Sequence, residues 1–142
     1  MRPEETIDFH LRRTWTSLIR FYNYIASERG ASVSMGMALL AISPNGTPST
    51  QIGPKMGIEP NSISRLLNSL EIQELIERRT STKDKRVTLI SLTPKGKKKR
   101  DEIRDVVVKF NSEMTHQIGE EEITQCLQTL SKINLFIETK IE

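Results

Sequence analysis

The stretch from Ile58 to Thr93, IEPNSISRLLNSLEIQELIERRTSTKDKRVTLISLT, reads as a short amphipathic helix followed by two strands joined by a charged tip. Ile63, Leu66, Leu67 and Leu70 recur at i, i+3, i+4 and i+7, one apolar stripe on a helix that faces a core. The opposite face is Asn61, Arg65 and Asn68, flanked by Ser62, Ser64 and Ser69. These side chains donate and accept hydrogen bonds with little net charge, as reading base edges in a major groove requires: arginine suits guanine, asparagine suits adenine, serine suits either. An ordinary solvated helix face would look the same.

The next segment separates the two readings. Leu75 to Arg79 and Val87 to Leu92 alternate or run apolar and β-branched around Thr80, Ser81, Thr82, Lys83, Asp84 and Lys85, the pattern of a β-hairpin. Its tip carries Lys83, Lys85 and Arg86. A basic hairpin directly after a polar-faced helix is a winged helix-turn-helix pattern, with the helix for the major groove and the wing for phosphates or the minor groove.

Beyond this stretch, 142 residues predict one domain, able to bury roughly two thirds of its unfolded surface. An apolar share of 36% and a charged share of 27% are those of a globular, soluble chain. No apolar run approaches the ~18 residues of a membrane-spanning helix. The opening Met1, Arg2, Pro3, Glu4, Glu5 carries no apolar secretion segment, so a cytoplasmic location and no membrane partner are expected. Asn45, Gly46 and Thr47 spell a glycosylation sequon that reads better as a turn. Cys126 is the only cysteine, which excludes an intrachain disulfide framework and a Cys-based zinc finger.

Charge is unevenly placed. Between Arg78 and Arg100 stand ten Lys or Arg and one Asp, a local +9 in a chain whose net charge is +3. The split suggests that the wing and the start of the following helix, with Lys97, Lys98, Lys99 and Arg100, meet a polyanion. Taken alone, that lysine run fits a solvated helix start equally well.

Before the helix-and-hairpin segment, Ile7, Leu11, Trp15, Leu18, Ile19, Tyr22 and Ile25 recur at three and four and predict a first helix from about Glu4 to Ser27, ended by Gly30. Seven apolar positions exceed what a small winged domain covers, so part of this face is expected to meet another chain. Ser34 is the expected N-cap of a second helix reaching about Ile42, followed by a turn at Ser43, Pro44, Asn45 and Gly46. Thr47 and Pro48 read as cap and first position of a third helix to about Met56, with Gly57 as the turn residue. Gly53 and Pro54 predict a kinked or partly 3₁₀ helix there.

After the wing, Thr93 and Pro94 predict the start of a fifth helix carrying Ile103, Val107, Phe110, Met114 and Ile118. It breaks near Gly119, and Glu120, Glu121 and Glu122 open a sixth helix, where acidic residues complement the dipole. Ile123, Cys126, Leu127, Leu130, Ile133, Phe136 and Ile137 form its apolar stripe, with little in the same chain to cover it. The expected outcome is a helical homodimer interface from both chain ends, using Ile7, Leu11, Ile118, Ile123, Leu127, Leu130, Ile133 and Ile137.

Leu75, Ile76, Glu77, Arg78, Arg79, then Asp84, Lys85, Arg86, then Leu92, Thr93, Pro94, Lys95, Gly96 resemble the wing motif of the MarR family of bacterial transcription regulators. The order of helices resembles that family over essentially the whole chain. The resemblance implies a mainly α (α+β) fold: a winged helix-turn-helix region at 34–96 within a single 1–142 unit, with helical dimerisation segments at 1–30 and 97–142. It implies a homodimer on a pseudo-palindromic double-stranded DNA operator, repressing transcription and released by a small aromatic or phenolic effector. By motif position, Asn61, Ser62, Ser64, Arg65 and Asn68 fall on the recognition helix, Asp84 orients Arg86 toward the minor groove, and Lys83 and Lys85 meet phosphate. Glu74 stands where the family commonly has glycine. A left-handed conformation there would cost on the order of 1 kcal/mol, so a different turn is expected. Pro54 is likewise a departure within the third helix and bears on how the recognition helix is presented.

Competing functions find less support. His10 and His116 stand alone, no hydrolase, zincin or P-loop motif is present, and neither an enzyme, a metal site nor a cofactor is expected. A winged helix used only as a protein-interaction module leaves the basic wing unexplained. A redox-responsive regulator would have to use Cys126, whose place on an apolar stripe reads as a small buried hydrophobe. For an effector pocket, the candidate walls are Trp15, Ile19, Tyr22, Met35, Met37 and Leu40, a stripe that also fits plain core.

Overall fold

Three short helices and a three-stranded sheet close over one apolar core. The computed structural model describes residues 1–58 and 60–141, the side chains of Pro60 and Asn61 excepted. After a 3₁₀ turn at Pro3–Glu5, α1 spans Ile7–Glu28 with Thr6 as its N-cap, the Thr6 hydroxyl accepting from the Phe9 N–H. Gly30 at φ 60° ends it, as expected. Helix α2 is Val33–Ala41. Its N-cap is Ser32, whose Oγ accepts from the Met35 N–H at 3.2 Å, so the cap lies two residues before the expected Ser34. Both serines satisfy the preference, and only the backbone geometry chooses between them.

The turn at Ser43 to Gly46 forms as read, closed by the Gly46 N–H on the Ser43 carbonyl at 2.9 Å. The next two residues depart from expectation. Thr47–Pro48 is not cap and first helical residue but a two-residue strand, β1, pairing antiparallel with β3 (Thr88–Leu92) at Ile90 and Leu89. Proline tolerates that place because β1 lies at the sheet edge, in the order β1-β3-β2, where no ladder donor is required of it. Thr47 is 1% exposed, and its hydroxyl accepts from the Ser43 N–H at 2.9 Å. Helix α3 then runs Ser49–Met56, α-helical throughout rather than partly 3₁₀. It ends two residues after Pro54.

Helix α4 (Pro60–Ile72) and the hairpin of β2 (Ile76–Thr80) and β3 complete the winged arrangement. The hairpin pairs in register from Ile76 with Leu92 to Thr80 with Thr88. Ile63, Leu67 and Leu70 of α4 are buried against Leu39, Ile42, Ile52, Ile76 and Ile90, and Leu66 is partly buried. Each such side chain removed from water stabilises the fold by about 1.5–3 kcal/mol. Helix α5 (Pro94–Ile118) begins on Thr93, whose hydroxyl accepts from the Gly96 N–H, as the Thr-Pro pair predicts. Helix α6 (Glu120–Glu138) follows Gly119.

The chain divides into two compact units, Met1–Ile103 and Arg104–Glu142. The core belongs to the first. In the second no described residue is buried: Ile123, Leu130 and Ile133 of α6 are partly buried, while Leu127, Phe136 and Ile137 are exposed. Cys126 is exposed too, a correction to its reading as a buried hydrophobe, because its neighbours on the stripe, Leu127, Phe136 and Ile137, are likewise uncovered in the single chain.

Candidate nucleic-acid interface

Helix α4 is bracketed by two left-handed turns. At the end of α3, Gly57 takes φ 65°, its N–H reaches the Pro54 carbonyl at 3.1 Å, and the Ile58 N–H reaches Gly53 at 3.0 Å. This paired closure satisfies the last carbonyls of α3 and turns the chain toward α4. The same pattern closes α4. The Glu74 N–H bonds the Glu71 carbonyl at 2.9 Å and the Leu75 N–H bonds Leu70 at 2.9 Å, with Glu74 at φ 59°. Glu74 is the one non-glycine residue with positive φ among those described, so the turn expected to differ does not: glutamate takes the glycine conformation.

On α4 the exposed face carries Ser62, Ser64, Arg65, Asn68 and Ser69, opposite Ile63, Leu67 and Leu70. The Asn61 backbone lies in α4, and its side chain lies outside the described residues. Asn68 is already engaged, since its Oδ1 accepts from Arg78 Nη2 at 2.5 Å. Reading adenine needs the amide oxygen and nitrogen together, so Asn68 is less free for that task than its place on the wheel implied. Among the described residues, Ser62, Ser64 and Arg65 show no such side-chain partner.

At the wing, the Ser81 N–H bonds the Val87 carbonyl at 2.9 Å, and the Ser81 hydroxyl accepts from Lys83 and Asp84 amides at 3.2 and 3.4 Å. Asp84 Oδ1 accepts from the Arg86 amide at 3.0 Å and from Arg86 Nε at 3.3 Å. The guanidinium is thereby aimed but not covered, with the Arg86 side chain 91% exposed. Lys83 and Lys85 are exposed beside it.

The basic segment is less uniform than its sequence. Arg79 pairs with Glu77. Arg78 Nε also meets Glu71 Oε2 at 3.2 Å. Lys95 Nζ donates to the Gln73 carbonyl at 2.8 Å, and Lys99 Nζ to the Arg29 carbonyl at 3.1 Å. The two lysines therefore cap the C-terminal ends of α4 and α1, where carbonyls carry partial negative charge. This corrects the reading of the start of α5 as one polyanion-facing run, which composition alone could not resolve.

Of the candidate effector walls, Met35 is buried in the core, Ile19, Tyr22 and Met37 are partly buried, and Trp15 and Leu40 are exposed. A depression of about 360 Å³ joins Met35 to Gly30, Gln73, Leu75, Lys95, Lys98, Lys99 and Glu102. Among the described residues no group of three or more His, Cys, Asp or Glu is placed to hold a metal ion. Nor, among them, is any helix long and apolar enough to cross a membrane.

The MarR family model matches residues 37–88, from α2 into β3. Solved structures match over nearly the whole chain. S. aureus MepR in complex with DNA is 21% identical, covering 93% of this chain and 98% of its own at a TM-score of 0.81. CouR from Rhodococcus jostii RHA1, bound to p-coumaroyl-CoA, is 24% identical, covering 94% of each chain at a TM-score of 0.83. A MarR-family transcriptional regulator from Rhodococcus sp. RHA1 is 23% identical, covering 92% and 93% at a TM-score of 0.80.

Proposed function

We propose, on the premise that this chain carries the MarR family's winged segment on a whole-chain MarR-type fold, that it is a transcription regulator that binds double-stranded DNA as a homodimer. One observation carries the reading. Ser62, Ser64 and Arg65 are exposed together on α4, and the same short segment ends in a wing whose Arg86 is aimed by Asp84. Side chains on the helix suit base edges in a major groove, and a lone aimed guanidinium suits a minor groove. MepR, with the same fold, has been crystallised on DNA.

Two-fold pairing is favoured by energetics as much as by family. A single winged domain makes few base contacts, whereas two recognition helices about 34–36 Å apart read two half-sites of a pseudo-palindrome. Helix α1 leaves Ile7, Leu11 and Trp15 exposed, and α6 leaves Leu127, Leu135, Phe136 and Ile137 exposed. Apolar faces of that kind favour a partner chain. Repression in the cytoplasm, relieved by a small aromatic or phenolic ligand, is the mode the family resemblance supports, and CouR carries an aromatic acyl-CoA. Trp15, Ile19, Tyr22, Met37 and Leu40 remain the proposed contacts for such a ligand, and quenching of the single Trp15 by salicylate tests them.

Selection from a randomised duplex pool, followed by mobility shift across salt concentrations, tests the DNA reading. The expected result is an enriched two-fold sequence whose binding weakens steeply with salt. Absence of any salt-sensitive binding would leave a protein-interaction module as the better reading.

A further inference from the structure

Arg78 on β2 and Lys95 on α5 grip the last turns of α4 from two flanking elements. We infer that these two cations form a positioning clamp that fixes the recognition helix on its frame, rather than meeting DNA phosphate, and that discrimination between DNA sequences depends on it. The inference rests on the DNA-binding reading above.

Strand geometry places Arg78. Alternation along β2 puts it on the same face as Ile76, which is 2% exposed in the core shared with α4. Glu77 and Arg79 share the other face and pair with each other. From the inner face the Arg78 guanidinium forks, with Nη2 on Asn68 Oδ1 at 2.5 Å and Nε on Glu71 Oε2 at 3.2 Å. Its side chain is 36% exposed, against 91% for Arg86 at the wing tip. Lys95 approaches from beyond the base of the hairpin, its Nζ 2.8 Å from the Gln73 carbonyl and 4.0 Å from Glu74 Oε2. The three gripped residues, Asn68, Glu71 and Gln73, cover the helix C-terminus and lead directly to the left-handed Glu74 that ends it.

Leverage makes the grip matter. Helix α4 has 13 residues, so it is about 20 Å long. A tilt of about 3° at its C-terminal end moves the serines at the other end by about 1 Å, more than direct base readout tolerates. Phosphate contacts tolerate such a shift far better, because flexible lysines follow the backbone.

The test uses the full chain and a duplex enriched from a randomised pool by the wild-type protein, with a scrambled duplex of equal length as reference. Affinities for both are measured across salt for R78Q, R78K, K95M and the R78Q/K95M pair, with unfolding midpoints confirming that each variant folds. The expected result is an unchanged salt slope and a ratio of selected to scrambled affinity lowered roughly tenfold in R78Q. R78K does not rescue the ratio, because one ammonium cannot span Asn68 and Glu71 as the fork does. Without DNA, amide exchange at Gln73, Glu74 and Leu75 becomes faster in R78Q and K95M. A salt slope lower by about one unit per substitution would make these residues phosphate contacts and overturn the clamp. So would an unchanged affinity ratio. If the wild-type protein enriches no duplex, the DNA-binding reading itself falls, and the clamp's role in discrimination falls with it.

Discussion

Gly96 of α5 lies so close beneath Leu75 that a Cβ on it would sit 1.8 Å from the Leu75 carbonyl oxygen. That oxygen also accepts from the Thr93 N–H at 3.1 Å, and the Thr93 hydroxyl donates to the Glu74 carbonyl at 2.6 Å. The end of α4, the base of the hairpin and the start of α5 are thus one closely packed joint. Gly96→Ala is expected to destabilise the fold by about 3 kcal/mol or more, since the obstacle is backbone and cannot rotate aside. A urea unfolding midpoint measures it, and a change under about 1 kcal/mol would show that the joint opens easily.

Glu74→Gly should act in the opposite direction. Holding glutamate at φ 59° costs about 1–2 kcal/mol, and the extra chain entropy of glycine in the unfolded state returns about 0.4–1 kcal/mol of that. The Lys95 contact it would lose is exposed and 4.0 Å long, so it offsets little. The expected net gain is about 0.5–1 kcal/mol. A loss of stability would mean that the Glu74 side chain contributes more than its backbone strain costs.

Much of this joint was legible before the structure, and the part that was not has a physical reason. Periodicity located the buried stripe of Ile63, Leu67 and Leu70 and the hairpin, because burial repeats at 3.6 or 2 residues. Glycine at 57 and the Thr93-Pro94 pair marked real helix ends. Thr47-Pro48 misled, since the same dipeptide serves as helix start or edge strand and only the distant partner Ile90 decides. Arg78 and Lys95 counted as wing-side charge because composition records sign and not direction. Alternation from Ile76 did contain the direction of Arg78, as the same inward face two residues on.

Thr47 is an acceptor inside the core, 1% exposed and bonded to the Ser43 N–H at 2.9 Å. Thr47→Val keeps the shape and removes the oxygen, leaving that amide without its partner. A destabilisation of about 1–2 kcal/mol is expected by thermal or urea unfolding, and Thr47→Ser should recover most of it.

At the interface, Arg65 and the wing lysines should differ in kind. Arg65→Ala, if Arg65 pairs with a guanine, costs about 1–3 kcal/mol of binding and relaxes preference at one base position. Lys83→Ala or Lys85→Ala weakens all sequences nearly equally and lowers the salt slope by about one unit each. Competition between a selected duplex and its single-base variants separates the two patterns. Uniform weakening by Arg65→Ala would place Arg65 on phosphate.

Helix α6 presents its large apolar side chains to water. Leu127 is 60% exposed, Leu135 63% and Ile137 47%, on a helix where no residue is buried. A monomer that leaves such side chains in water loses the roughly 1.5–3 kcal/mol each would contribute on burial, and a second copy supplies that burial symmetrically. Leu127→Glu with Ile137→Glu inserts charge where a partner would sit, so sedimentation velocity should show a dimer for the parent chain and a monomer for the pair variant. Binding to a two-fold duplex should fall much further than binding to a single half-site, because the half-site contacts proposed for Ser62, Ser64 and Arg65 would stay intact and only their pairing would be lost. Equal losses on both duplexes would mean that the substitutions damage the winged unit itself, and a parent chain that sediments as a monomer would remove the two-fold reading.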